Sequence, residues 1–148
     1  MHGLGWASPS AEQERDARLA RFQSLIDGDQ YGRVAPLDVA EVICRALRLL
    51  RLSYTLRAPA KDRLGASVHP LSPEAAAFSP GAAVVRACHD LALTYAEGTA
   101  ARLAIEIQIG ERLRLWAAVR GRTIDEVERA FLHALHFTRR AASMEIAA

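Results

Sequence analysis

The chain has 148 residues, of which 51% are hydrophobic and 24% charged, and its formal net charge at pH 7 is +2. This length predicts one domain with a substantial core over residues 1–148, of which residues 1–9 are expected to form a flexible N-terminal tail. The two cysteines are too few for a disulfide framework, and no apolar run approaches the roughly 18 residues that a membrane span needs. The sequence therefore predicts a soluble, cytoplasmic protein and excludes a secreted disulfide scaffold.

The first half of the chain carries two strong helix signals. Ser10 and Gln13 form a capping-box pattern, and Asp27-Gly28 ends the run. A second helix is predicted to begin near Asp38, with Glu41 three residues on and also placed to pair with Arg45. Apolar residues recur at helical spacing in both segments: Leu19, Phe22, Leu25 and Ile26, then Val39, Val42, Ile43, Ala46, Leu47 and Leu50.

The helical pattern fails between Leu52 and Pro70. This stretch predicts a small β-hairpin that turns at residues 62–65. Two Ser-Pro steps follow, at Ser72 and Ser79, and each predicts a helix start because serine is a good N-cap and proline suits the first helical position. The first of these helices is expected to last one or two turns, and Phe78 is expected to plug the corner between them.

The second half of the chain predicts further helices. One is expected to begin at a Thr99 cap and end near Gly110, and a short one to bury Trp116. A last helix opens with the capping-box pattern of Thr123 and Glu126. Arg139 and Arg140 are expected at the negative, C-terminal end of this last helix. Inward-facing residues are predicted in two helices: Val84, Cys88, Leu91 and Tyr95 in the helix after Ser79, and Ile124, Val127, Phe131, Ala134 and Leu135 in the last helix. The predicted fold class is mainly α, a single compact domain of about five helices with a small inserted β-hairpin.

Two stretches of the chain carry a resemblance: residues 70–87, PLSPEAAAFSPGAAVVRA, and, after Trp116, residues 121–131, GRTIDEVERAF. Together they resemble a domain-of-unknown-function family of small proteins from high-GC bacteria and their phages. The resemblance covers roughly residues 38 to 135 and implies a compact, mostly helical fold with no established activity. The chain departs from the family after Trp116, where relatives often have an Asn-Asp pair and this sequence reads WAAVRGRT, so a polar site at that point is not expected here.

Residues able to carry chemistry are sparse. Cys88 and His89 are adjacent, and neighbours on a helix point about 100° apart, so they cannot form a nucleophile–base pair. His133 and His136 have a spacing that could hold one metal ion, but zinc normally takes three or four protein ligands. No cofactor motif is visible, and the sequence predicts neither a catalytic residue nor a metal site nor a cofactor.

All but one of the basic residues are arginine, Lys61 being the exception. Five arginines could form a patch for nucleic acid if the hairpin folds back beside the second helix: Arg45, Arg48, Arg51, Arg57 and Arg63. The competing interpretation is a solvated surface on which acidic residues balance them.

The sequence favours a non-catalytic binding or regulatory protein that associates with a second copy of itself or with another protein. Nucleic-acid binding through the five arginines is the alternative, and a small hydrolase or metal-dependent enzyme is the third. A pocket, if present, is predicted where the hairpin, the corner and the short helix converge, at Tyr54, Arg57, His69, Phe78 and Trp116.

Overall fold

A computed structural model describes residues 9–55 and 58–147. These residues form six helices and one small sheet, so the mainly α prediction with an inserted hairpin is confirmed. Residues 1–8 of the predicted tail and Arg57 lie outside the described residues. The elements in chain order are α1 (Ala11–Asp27), α2 (Pro36–Leu52), β1 (Ala60–Lys61), β2 (Ser67–Val68), β3 (Ala77–Phe78), α3 (Pro80–Asp90), α4 (Tyr95–Ile109), α5 (Leu113–Ala117) and α6 (Ile124–Ala147).

Helix α1 begins as predicted. The Gln13 amide donates to Ser10 Oγ at 3.1 Å, and the Ser10 amide donates to Gln13 Oε1 at 2.9 Å. These two bonds satisfy N–H groups that the first turn of a helix otherwise leaves unpaired. The helix ends before Gly28, whose φ of 83° is a left-handed value that favours glycine.

The predicted start of α2 is wrong by two residues. The helix opens at Pro36, and its N-cap residue is Ala35, which makes no side-chain capping bond. Proline at the first position lacks the N–H that would need a partner there, so the helix begins without the Asp38–Glu41 capping box. The predicted apolar face is confirmed, and all six of its residues are buried.

Helix α2 is the centre of the fold, because α3, α4 and α6 all pack against it. One continuous hydrophobic cluster runs through these helices and includes Phe22 of α1, Phe78 of β3 and Trp116 of α5. Phe131 of α6 is fully buried in it. The described residues thus share one core.

The predicted hairpin is confirmed: β1 and β2 pair antiparallel, with Ala60 opposite Val68. Asp62 Oδ1 accepts from two amides in the turn, and Gly65 takes a positive φ of 85°. The prediction missed a third strand, β3, which pairs antiparallel with the other side of β1 to give the order β2-β1-β3.

The short helix predicted at Ser72-Pro73 is wrong. Residues 70–74 form turns, in which Ser72 Oγ accepts from the Glu74 amide at 3.1 Å. A serine side chain can cap a turn as readily as a helix. The second Ser-Pro step does begin a helix, since Ser79 Oγ accepts from the Ala82 amide at the start of α3.

Helix α4 begins five residues earlier than the predicted Thr99 cap. Its N-cap is Thr94, which forms a capping box with Glu97. Tyr95, predicted to face inward from the preceding helix, is the first residue of α4 and is 87% exposed. The prediction overlooked the Thr94–Glu97 spacing of a capping box, which Thr99 lacks because Arg102 stands three residues after it.

The C-terminal region follows the prediction except at its end. Gly110 closes α4 in the left-handed conformation, and α5 buries Trp116. The Thr123–Glu126 capping box opens α6. Arg139 and Arg140 do not lie at the C-terminus of α6, however, because the helix continues to Ala147.

None of the helices in the described part of the chain combines the length and the apolar character needed to cross a bilayer.

Candidate functional site

An open, mostly apolar groove lies between the C-terminal halves of α1 and α6. Its volume is about 870 Å³. Helix α1 packs chiefly on α4, whereas α6 packs on α2 and α4, so the two helix ends face each other across the groove. The lining residues are Leu19, Ala20, Phe22, Gln23, Ile26, Asp27, Arg33, Phe137, Arg140, Ala141, Met144 and Glu145.

Two aromatic rings form the floor of the groove. The ring centroids of Phe22 and Phe137 are 5.1 Å apart and the ring planes meet at 61°, an edge-to-face arrangement. Ala20 and Ala141 lie on opposite walls, and their small side chains leave the groove open. Met144 is 73% exposed at the rim, so this unbranched apolar side chain faces solvent beside an apolar recess.

Charges of both signs surround this apolar surface. Arg33, in the loop after α1, forms an ion pair with Glu145 of α6 across the groove. Asp27 and Arg140 complete a set of two acids and two arginines among the lining residues. The rim therefore carries no net formal charge.

One wall of this groove was predicted from the sequence, and the other was not. The α1 residues Leu19, Phe22 and Ile26 were predicted as an apolar face. The α6 wall was missed because the helix was expected to end near Arg139 and Arg140. Phe137, Ala141 and Met144 follow the i, i+4, i+7 spacing of a helical face, which was the available signal.

The predicted pocket residues occupy different environments. Phe78 and Trp116 are buried in the same core, and a guanidinium covers each ring: Arg86 at 5.8 Å from the Phe78 centroid and Arg122 at 4.1 Å from the Trp116 centroid. These rings pack inside the protein as hydrophobic side chains with a cation–π contact.

The other three residues of the predicted pocket are less enclosed or lie outside the described residues. Tyr54 forms a backbone bridge with Phe78, and burial raises the pKa of its phenol. His69 is exposed, and its Nδ1 accepts from the Leu71 amide at 3.0 Å. Arg57 lies outside the described residues, so the pocket as a whole stays a prediction.

The predicted arginine patch is partly neutralised by acids from distant parts of the chain. Arg45 pairs with Asp90 at 3.0 Å, not with Glu41 as predicted, and Arg51 pairs with Glu128. Packing of α2 against α3 and α6 brings these acids into reach.

The hairpin does fold back beside α2, and Arg45 and Arg63 line one groove next to Phe78. That groove has three acids and three arginines in its lining, so its charges balance: Asp62, Glu74 and Asp90 against Arg45, Arg63 and Arg86. Arg48 is exposed on α2. Nucleic-acid binding through these residues stays a prediction, with less electrostatic support than the sequence alone gave it.

Groups with nucleophilic or metal-binding chemistry are dispersed. Cys88 is buried, and burial together with the Glu97 carboxylate raises its pKa to about 11, so the reactive thiolate is disfavoured. His133 and His136 are both exposed on α6. Within residues 9–55 and 58–147, no three His, Cys, Asp or Glu residues are grouped so that they could hold a metal ion.

Comparison with known proteins finds no matching family model, no matching curated protein and no matching solved structure. The resemblance to a domain of unknown function stays a prediction.

Proposed function

We propose that this protein acts by non-catalytic binding, and that the groove between α1 and α6 is the surface on which a second copy of the chain docks. The observation that carries the proposal is a mostly apolar recess of about 870 Å³ with an exposed methionine at its rim. Burying apolar surface is favourable by about 25 cal/mol per Å², so such a recess gains free energy when a partner covers it.

A second copy is the favoured occupant because the groove is suited to self-association. In a two-fold symmetric dimer the same surface patch lies on both sides of the interface. Here one patch contains both a protruding apolar side chain, Met144, and an apolar recess that could receive it. The balanced charges of the rim avoid the repulsion that two identical charged surfaces would experience.

The oligomeric state in solution tests this proposal. Size-exclusion chromatography with light scattering is expected to give twice the 16.2 kDa chain mass at high concentration and to show dissociation on dilution. Met144→Glu is expected to give the monomer mass, since it places a carboxylate in the interface. Circular dichroism should show that the variant keeps its helical content, because Met144 contributes little to the core.

Leu64→Glu is the matched control. Leu64 is 95% exposed at the hairpin turn and does not line the α1–α6 groove, yet the substitution adds the same charge. The control is expected to remain dimeric. A wild-type chain that stays monomeric at high concentration would contradict self-association and leave a different protein as the occupant. Dissociation of both variants would place the interface elsewhere.

A further inference from the structure

A second, smaller cavity lies on another side of α1, where it meets α4 and α5. Its volume is about 390 Å³. Its lining holds five arginines and two glutamates, with one alanine: Glu14, Ala17, Arg18, Arg21, Arg102, Glu106, Arg112 and Arg114. The formal charge of the lining is +3, whereas that of the entire chain is +2. The lining thus has a local excess of positive charge, on residues that the sequence did not single out as a site.

One of the two acids in the lining is already fully engaged. Glu106 is 3% exposed, and its Oε1 accepts from Arg102 Nη1 at 2.8 Å. Its Oε2 accepts from the Leu113 amide, also at 2.8 Å. This carboxylate holds α5 against α4, and its ion pair in the lining is with Arg102.

Four further arginines line the cavity, and Glu14 is the remaining acid in its lining: Arg18, Arg21, Arg112 and Arg114. Glu14 and Arg18 have the i, i+4 spacing that commonly gives an ion pair. The i, i+4 ion pairs that form among the described residues are Arg86–Asp90, Arg102–Glu106 and Arg122–Glu126, so Glu14 is not paired with Arg18.

Arg18 supplies an independent observation. Its Nη1 atom is buried and has no hydrogen-bond partner among the described residues. Leaving a charged donor buried without an acceptor is costly, and buried polar groups in folded proteins nearly always have a partner. The protein thus supplies no acceptor for this part of the Arg18 charge, and an anion held by the neighbouring arginines of the lining would balance that charge through space.

We propose that this cavity binds the diphosphate group of a small ligand. The guanidinium fork matches phosphate oxygens with two parallel hydrogen bonds, which favours a phosphate over a halide. A diphosphate carries about three negative charges near neutral pH, which matches the charge of the lining. Small-molecule sites occupy about 300–1,000 Å³, so a cavity of about 390 Å³ accommodates a compact ligand. The inference is independent of self-association at the α1–α6 groove.

Isothermal titration calorimetry with sodium pyrophosphate at low salt tests the site. Saturable binding is expected, and its affinity should fall as salt is raised because the contacts are ionic. Arg18→Gln on α1 and Arg114→Gln on α5 are each expected to weaken binding about tenfold or more, since each removes a charge-assisted hydrogen bond. Arg114 is exposed, so its variant keeps the test valid if Arg18→Gln fails to fold.

Arg15→Gln is the matched control, because Arg15 is exposed on α1, does not line the cavity and carries the same charge. Its binding is expected to equal that of the wild type. Adenosine diphosphate in a parallel titration distinguishes the two sources of the group: tighter binding than pyrophosphate identifies an organic diphosphate, and weaker binding identifies the inorganic ion.

Three results would overturn the proposal. The first is no saturable pyrophosphate binding at low salt, and the second is an equal loss in Arg15→Gln, which would indicate a diffuse charge effect. The third is a single-stranded oligonucleotide that binds through Arg18 and Arg114 and is not displaced by pyrophosphate, which would make this cavity part of a nucleic-acid surface.

Discussion

Glu106 allows a quantitative prediction, because one buried carboxylate joins two helices. It accepts from Arg102 on its own helix, α4, and from the Leu113 amide at the start of α5. Helix α5 has only five residues and its N-cap residue, Arg112, makes no side-chain capping bond. The Glu106 carboxylate therefore satisfies one of the N–H groups that the first turn leaves unpaired.

We expect Glu106→Ala to lower the free energy of unfolding by about 2–4 kcal/mol. A hydrogen bond to a charged group contributes about 1.5–3 kcal/mol, and its loss leaves the Leu113 amide buried without a partner. The Arg102 side chain is 37% exposed, so its ion pair adds only about 0–1 kcal/mol. Glu106→Gln keeps one acceptor oxygen, but its amide NH₂ then faces a second donor, either the Arg102 guanidinium or the Leu113 amide. We expect this variant to lower the free energy of unfolding by about 1–2 kcal/mol.

Urea denaturation followed by circular dichroism measures these differences, with Glu111→Ala as the control. Glu111 is exposed in the loop between α4 and α5, and its removal should change stability by less than about 0.5 kcal/mol. Amide hydrogen exchange gives a local reading, because protection of the Leu113 N–H should fall in Glu106→Ala. A loss below about 1 kcal/mol for Glu106→Ala, or an equal loss for the control, would refute the assigned role.

Two further predictions concern the contact between α3 and α4. A Cβ at Gly98 would lie 3.0 Å from Cys88 Sγ, which is closer than such atoms normally approach. Alanine in place of glycine inside a helix normally raises the free energy of unfolding by about 0.5–1 kcal/mol. We expect Gly98→Ala to show no such increase in the wild-type background and to show it in a Cys88→Ala background. A double-mutant cycle in urea measures this coupling, and equal effects in both backgrounds would contradict it. The pKa of Cys88 is raised to about 11 from an ordinary value of 9.0, so the folded state favours the neutral thiol. The stability that this pKa difference contributes is fully present below pH 9 and is lost as the pH rises through about 11. Between pH 8 and 11 the free energy of unfolding should therefore fall more steeply for the wild type than for Cys88→Ala. Parallel curves for the two proteins would show that Cys88 does not titrate as described.

The sequence by itself determined the features that depend on residues three or four positions apart. The capping boxes at Ser10 and Thr123, the proline start of α3 and the apolar face of α2 were all predicted correctly. In each case the hydrogen bonds or the helical periodicity lie within one or two turns, so the local pattern contains the relevant physical information.

The start of α4 was missed although a local signal was present. Thr94 has Glu97 three residues on, the spacing of a capping box, whereas Thr99 has Arg102 at that position. In the structure Gly98 is inside α4, where its missing side chain leaves room for Cys88 of α3. Packing between α3 and α4 thus explains a glycine in the helix interior. Strand β3 was missed because two residues become a strand only by pairing with β1, a contact made in the tertiary structure.

Only the tertiary structure decided which charges meet. Arg45 and Arg51 pair with acids 45 and 77 residues away, so their charges are partly balanced in the fold. Conversely, the arginines of the cavity come from α1, α4, α5 and the N-cap position before α5, and they are scattered along the chain. Coulomb interactions depend on the distance between charges in space, which the order of residues along the chain does not specify. Helix packing sets these distances, and it therefore decides which charges of this protein are neutralised and which are not.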